Sequence, residues 1–150
     1  MSNLLNCYID SIIENYDKSK LPNNFNIVID GGGFNGAFST GSLYYIKRLE
    51  YANYLTIDKI SGCSIGAILG FLYFTNKLDI IPKFYDTMIN WVRSNINLKK
   101  INDLIRNIVK KDDYKRVNNK LYITYHNIET LEHKVIYKYK SNNELIDCLI

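Results

Sequence analysis

Gly62-Cys63-Ser64-Ile65-Gly66 sets one serine between small residues, with a strand-like segment before it and an apolar helix-like run after it. G-x-S-x-G at a strand-to-helix junction is the spacing of a nucleophile elbow: the backbone turns sharply and lifts the Ser64 hydroxyl out of the fold. Cys63 is a second nucleophile by type, but the spacing puts Ser64 at the apex, and Cys63 reads as a small buried apolar residue. A second glycine-rich turn, Asp30-Gly31-Gly32-Gly33-Phe34-Asn35-Gly36, closes another apolar run. Acyl transfer needs both parts. A hydroxyl attacks the carbonyl, and backbone N–H groups hold the oxygen that becomes negative; one such donor is worth about 3 kcal/mol of barrier. Gly31, Gly32 and Gly33 suit the second task because glycine takes positive φ and leaves its N–H unobstructed.

A serine nucleophile also needs a proton acceptor. His126 falls at a strand end and His133 at a hairpin, positions of surface or structural histidines. Asp112 and Asp113 read as solvated loop charges. Asp30 is placed to bond backbone N–H groups of its own glycine turn.

The elements that must position these residues follow from periodicity. Leu5, Tyr8, Ile9, Ile12, Ile13 and Tyr16 recur at helical spacing, with Ser2 as a candidate cap. Leu21-Pro22-Asn23-Asn24 breaks the chain, so residues 1–24 read as a helix and linker ahead of a domain over 25–150. Phe25–Ile29 is a strand into the glycine turn, and Phe38, Gly41, Tyr45, Leu49 and Ala52 trace the inner face of the next helix. Ile57–Ile60 leads into the elbow and an apolar helix of Ala67–Phe74. Asp79 is expected to cap a helix carrying Ile81, Phe84, Tyr85, Met88 and Val92, and a short helix carries Ile101, Leu104, Ile105 and Ile108. Residues 110–119 read as a polar loop. Leu121, Ile123 and Tyr125, then Val135, Tyr137 and Tyr139, alternate as a strand pair. Ser141-Asn142-Asn143-Glu144 is a capping box before Leu145, Ile146, Leu149 and Ile150. Strand-helix-strand-helix with short connections predicts an α/β fold: a mainly parallel central sheet covered by helices, with an antiparallel pair near 120–140.

At 150 residues with 47% apolar and 23% charged residues, the chain has the composition of a globular domain. A net charge of +4 with scattered lysines carries no nucleic-acid footprint. Three cysteines without ligand spacing predict free thiols in a reducing compartment and no metal site. The uncharged run from Ile60 to Asn76 contains Ser61, Ser64, Thr75 and three glycines, and reads as a buried elbow helix rather than a membrane span.

The paired motifs resemble those of the patatin-like phospholipase family over roughly residues 25–150. The resemblance implies a three-layer fold related to the α/β-hydrolases and a lipid acyl hydrolase with a Ser-Asp dyad. Ser64 is then the nucleophile, Gly31, Gly32, Gly33 and Gly36 shape the oxyanion hole, and Gly62, Cys63, Ile65 and Gly66 form the elbow. It also implies a phospholipid or other glycerolipid substrate, transient contact with a membrane surface from an intracellular location, and no cofactor. Many members carry Arg or Lys where this chain has Asn35. The family's base lies in a downstream D-G-G or D-G-A segment, whereas the single Asp-Gly here is Asp30-Gly31. The dyad Asp is therefore expected beyond residue 150, and residues 1–150 alone are expected to be weakly active or inactive. Two other readings stand beside this one. The first is a non-catalytic lipid-binding or interaction relative of the same fold. The second is a dinucleotide-binding module, from the G-x-G-x-x-G of Gly31, Gly33 and Gly36; that reading wants an acidic residue where the second strand ends in Ile60-Ser61-Gly62.

Overall fold

The computed structural model describes residues 3–15, 17, 23–93 and 98–150. Its elements run α1 (Asn3–Glu14), β1 (Asn24–Ile29), α2 (Gly36–Tyr51), β2 (Thr56–Gly62), α3 (Ile65–Phe74), α4 (Ile81–Arg93), α5 (Leu98–Ile108), α6 (Asp113–Val117), β3 (Leu121–Asn127), β4 (Glu132–Ile136) and α7 (Asn142–Leu149). The expected Ser2 cap, Tyr16 and the Leu21-Pro22 breaker lie outside the described residues, as do the side chains of Leu5, Met88 and Val92.

The strands form one sheet in the order β1-β2-β3-β4, parallel through the first three and antiparallel between β3 and β4. The fold is therefore α/β, with a mainly parallel sheet flanked by helices. Period-two alternation turns Ile29, Leu121 and Ile123 into the core, and a register shift in β2 at Asp58 lets both Ile57 and Ile60 join them, while Val28, between Ile27 and Ile29, is 83% exposed. α3 is apolar on every side, and Ile65 through Tyr73 are all buried where it packs on β1, β2 and β3. No helix among the described residues is long and apolar enough to cross a membrane.

Glu50, near the end of α2, ties three elements together. Its carboxylate accepts from Lys47 Nζ at 2.8 Å, from the Ile57 N–H of β2 at 3.0 Å and from the Tyr73 hydroxyl of α3 at 3.0 Å. Burial pushes this carboxyl's pKa up, but the bonds from Lys47, Ile57 and Tyr73 outweigh it and leave Glu50 below the ordinary carboxylate range. Burial, with Glu50 beside it, pushes the Tyr73 phenol well above its usual value.

Several expectations are corrected. Phe38 is 85% exposed rather than on the inner face of α2, which buries Gly36, Thr40, Leu43 and Leu49. α1 packs on another side of α2 through Arg48–Asp10 and a Tyr44–Asn6 hydrogen bond. Asp79 sits inside a 3-10 turn, Leu78–Ile80, instead of capping α4. The second strand of the hairpin has the opposite phase: Ile136 pairs with Ile123, Val135 is exposed, and the strand stops before Tyr137 and Tyr139. Tyr139 is buried, and its hydroxyl donates to the Leu121 and Ile136 carbonyls. The expected 110–119 loop contains α6, and Asp113 is buried there. Asp113 pairs with Lys77 and accepts from the Lys110 N–H at 2.8 Å, while Lys77 also donates to the Ile108 carbonyl. Ser141 caps α7 by accepting from Glu144 N–H, but the Glu144 carboxylate reaches back to the N–H of Lys140, one residue ahead of the cap.

Candidate active site

Ile29 of β1 pairs with Gly62 of β2, so the two glycine-rich turns leave the sheet side by side at its carboxyl edge. Gly62 and Gly66 make the elbow sharp. A Cβ on Gly62 would stand 2.5 Å from the Ala67 nitrogen and the Gly66 oxygen. One on Gly66 would stand 2.9 Å from the Asp30 oxygen and closer still to the Ile29 oxygen. Cys63 N–H also donates to the Ile29 carbonyl at 3.4 Å. The elbow is thus pressed onto the end of β1, an approach only glycine permits.

Ser64 takes φ 52 and ψ −123, outside the regions an L-residue ordinarily occupies. It is exposed, and its hydroxyl makes no hydrogen bond among the described residues. Strain of this kind costs about 1–3 kcal/mol and concentrates at functional turns. Ile65 is buried and opens α3; the Gly66 N–H donates to the Cys63 carbonyl and the Ala67 and Ile68 N–H groups to the Ser64 carbonyl, which leaves the Ile65 N–H without an acceptor among the described residues.

The glycine turn lies against this serine. A Cβ placed on Gly31 would be 3.7 Å from Ser64 Cβ and 3.6 Å from the Cys63 oxygen. Gly31 N–H donates to Asp30 Oδ1 at 2.7 Å, so Asp30 bonds its own turn. Gly32 has φ 132 and Gly33 φ 54, and neither N–H has an acceptor among the described residues. Gly36 is a close-packing position. A Cβ there would stand 2.6 Å from Ile65 Cγ1 and nearer still to the Tyr85 hydroxyl, so Gly36 lets α2 close on α3 and α4. Tyr85 in turn donates to the Gly33 carbonyl at 3.1 Å, fixing the turn from the α4 side. Asn35 N–H donates to the Gly32 carbonyl at 3.1 Å, and its side chain is exposed.

Ser64 and Gly33 open into a cavity of about 750 Å³. Its walls are mainly apolar: Ile68 of α3, Phe84 of α4, Ile101 of α5, Ile123 of β3, Ile136 of β4 and Leu149 of α7. That volume is in the usual range for small-molecule sites. Periodicity could place Phe84 and Ile101 on inner helix faces, but not show that those faces meet beside Ser64. Cys63 and Cys148 also line it; both are half-buried free thiols, so Cys63 is less enclosed than the sequence suggested. Burial raises the Cys148 pKa, with Glu144 and Asp147 adding to the effect.

The candidate bases are placed as follows. His126 and His133 face each other across β3 and β4 with ring centroids 5.0 Å apart, exposed and outside the cavity wall. Asp112 pairs with Lys115, and Asp113 with Lys77. Glu144 and Asp147 line the cavity, but Glu144 is held by the Lys140 N–H and Asp147 lies 3.6 Å from Arg106. Among the described residues no three His, Cys, Asp or Glu side chains form a metal-binding group.

A mainly parallel sheet carries a positive-φ serine between strand and helix at its carboxyl edge, the strand-turn-helix form of a nucleophile elbow. Residues 27–146 match the family described as Patatin-like phospholipase, and the chain belongs to that family, a lipid hydrolase family. No curated protein and no solved structure matches it.

Proposed function

We propose that this chain is the Ser64-bearing part of a lipid acyl hydrolase that cleaves fatty acyl ester bonds in a phospholipid or related glycerolipid. The observation that carries the reading is the unbonded Ser64 hydroxyl at a strained turn, beside the Gly31–Gly33 loop and open to an apolar cavity. The acyl chain lies along Phe84, Ile123 and Ile136. Ser64 Oγ attacks the ester carbonyl carbon, and the Gly32 and Gly33 N–H groups receive the oxyanion while the Gly31 N–H stays with Asp30. Collapse of the tetrahedral intermediate expels the alcohol and leaves an acyl-serine, which water then splits to free fatty acid. By the resemblance to the family the proton acceptor is an Asp of a D-G-G or D-G-A segment outside residues 1–150; among the described residues no His, Asp or Glu bonds Ser64.

That same observation favours a second reading, a lipid-binding relative in which Ser64 does no chemistry. One experiment separates them. Ser64→Ala in the whole gene product abolishes fatty acid release from phospholipid vesicles while its melting temperature holds. Turnover retained by that variant refutes the nucleophile assignment, and a wild-type protein that binds vesicles without releasing fatty acid favours the second reading.

A further inference from the structure

β3 outruns β2, and β4 pairs with it along the overhang. Ile123 is level with Gly62, yet β3 continues four residues further, to Asn127. At about 3.3 Å per residue this carries the hairpin roughly 13 Å past the sheet edge that holds Ser64. The tip, residues 128–131, presents Ile128 at 85% and Leu131 at 75% exposure. Neither is needed to make the turn, because Asn127 Oδ1 accepts from the Glu129 and Thr130 N–H groups and organises it. Leu131 sits at φ 54, a conformation that Gly or Asn takes at lower cost. A strained, solvated leucine beside a solvated isoleucine is a cost to the folded chain that no packing repays. Below the tip, Tyr125 is partly exposed and also forms part of the cavity wall, linking the tip to the Ser64 site.

Charge and size choose the occupant. Although the whole chain carries +4, the segment from Asn127 to Lys134 holds Glu129 and Glu132 against Lys134 alone, so the tip is not built to seek anionic lipid. A four-residue convex tip also falls far short of the roughly 800 Å² per partner of a stable protein interface. We propose that the β3–β4 hairpin is an interfacial anchor: Ile128 and Leu131 enter the apolar layer of a zwitterionic lipid surface and hold the cavity mouth against it. The proposal rests on the lipid reading of the cavity, but not on Ser64 being a working nucleophile.

The test is co-sedimentation with phosphatidylcholine vesicles, using Ser64→Ala protein so that hydrolysis plays no part. Partition is expected to change little from low to high salt. It is expected to fall about tenfold or more in the Ile128→Asn/Leu131→Asn variant. Leu131→Gly, which relieves the φ 54 strain and so keeps the fold, also loses partition. No binding of the Ser64→Ala protein, undiminished binding of the tip variants, or binding abolished by salt overturns the proposal. Failure of Ser64 to react with an acyl-enzyme probe would instead remove the catalytic reading and leave the vesicle result standing.

Discussion

Replacing Ser64 by glycine and by alanine isolates the backbone strain at the elbow. Ser64 holds φ 52 and ψ −123, and its hydroxyl has no hydrogen bond among the described residues. Ser64→Ala keeps a Cβ in the same conformation and loses no native bond, so its stability stays close to wild type. Ser64→Gly releases strain of about 1–3 kcal/mol. Against this, glycine gains unfolded-state entropy of roughly 0.5–1 kcal/mol. The difference leaves the glycine variant about 1 kcal/mol more stable than the alanine variant. For a chain of this length that raises the melting temperature by about 2–4 °C. Calorimetry and urea titration of the two proteins read the difference directly. A glycine variant less stable than the alanine one would show that the serine is not held in a strained turn, and would remove the physical basis for an elbow. Both variants are expected to be inactive, so here stability and chemistry oppose each other at one residue.

Other substitutions probe the frame. Gly66→Ala forces a Cβ against the Ile29 and Asp30 backbone oxygens and is expected to cost about 3 kcal/mol or more; Gly31→Ala, whose Cβ meets ordinary contacts of 3.6–3.7 Å, folds normally, and equal urea midpoints for the two would contradict this packing. Asp113→Ala strands Lys77 and is expected to lose about 3–5 kcal/mol of unfolding free energy, whereas a solvated Asp113 would make the change nearly silent. Glu50 has a depressed pKa, so its stabilisation is complete above the ordinary carboxylate value near about 4.3 and is lost as pH falls through the lower folded value. Unfolding midpoints of Glu50→Gln should therefore depend less steeply on pH than wild type below about pH 4, and parallel curves would exclude the Lys47–Ile57–Tyr73 cluster as the cause.

The candidate site was legible because its signals are local. Positive φ at Gly32 and Gly33 and the close approaches at Gly62 and Gly66 demand glycine, and that demand is written in the sequence at fixed spacing. Strand identity was legible for the same reason, since Phe25–Ile29 is a short, mainly apolar run and Ile57 and Ile60 flank a charged pair, each segment ending in one of those turns. What stayed hidden depends on partners distant in sequence. Phe38 could be placed only by knowing that the core takes the Gly36, Thr40 and Leu43 face of α2. The buried Asp113 needs Lys77, 36 residues earlier, to neutralise it. The phase of β4 is set by pairing Ile136 with Ile123, while the tyrosines at 137 and 139 offered an equally regular alternation in the wrong register. The cavity draws its walls from α3, α4, α5, α7 and the hairpin, and no spacing rule brings Phe84 and Ile136 together.

The central claim is that the Ser64 oxygen is chemically activated where it stands. Treating the whole gene product with a fluorophosphonate, then mapping the adduct by mass spectrometry, tests this most directly. One adduct is expected, on Ser64, absent from Ser64→Ala and diminished when Gly32 or Gly33 is replaced by alanine. An unmodified Ser64 in folded protein, or a label that settles on another residue, contradicts it.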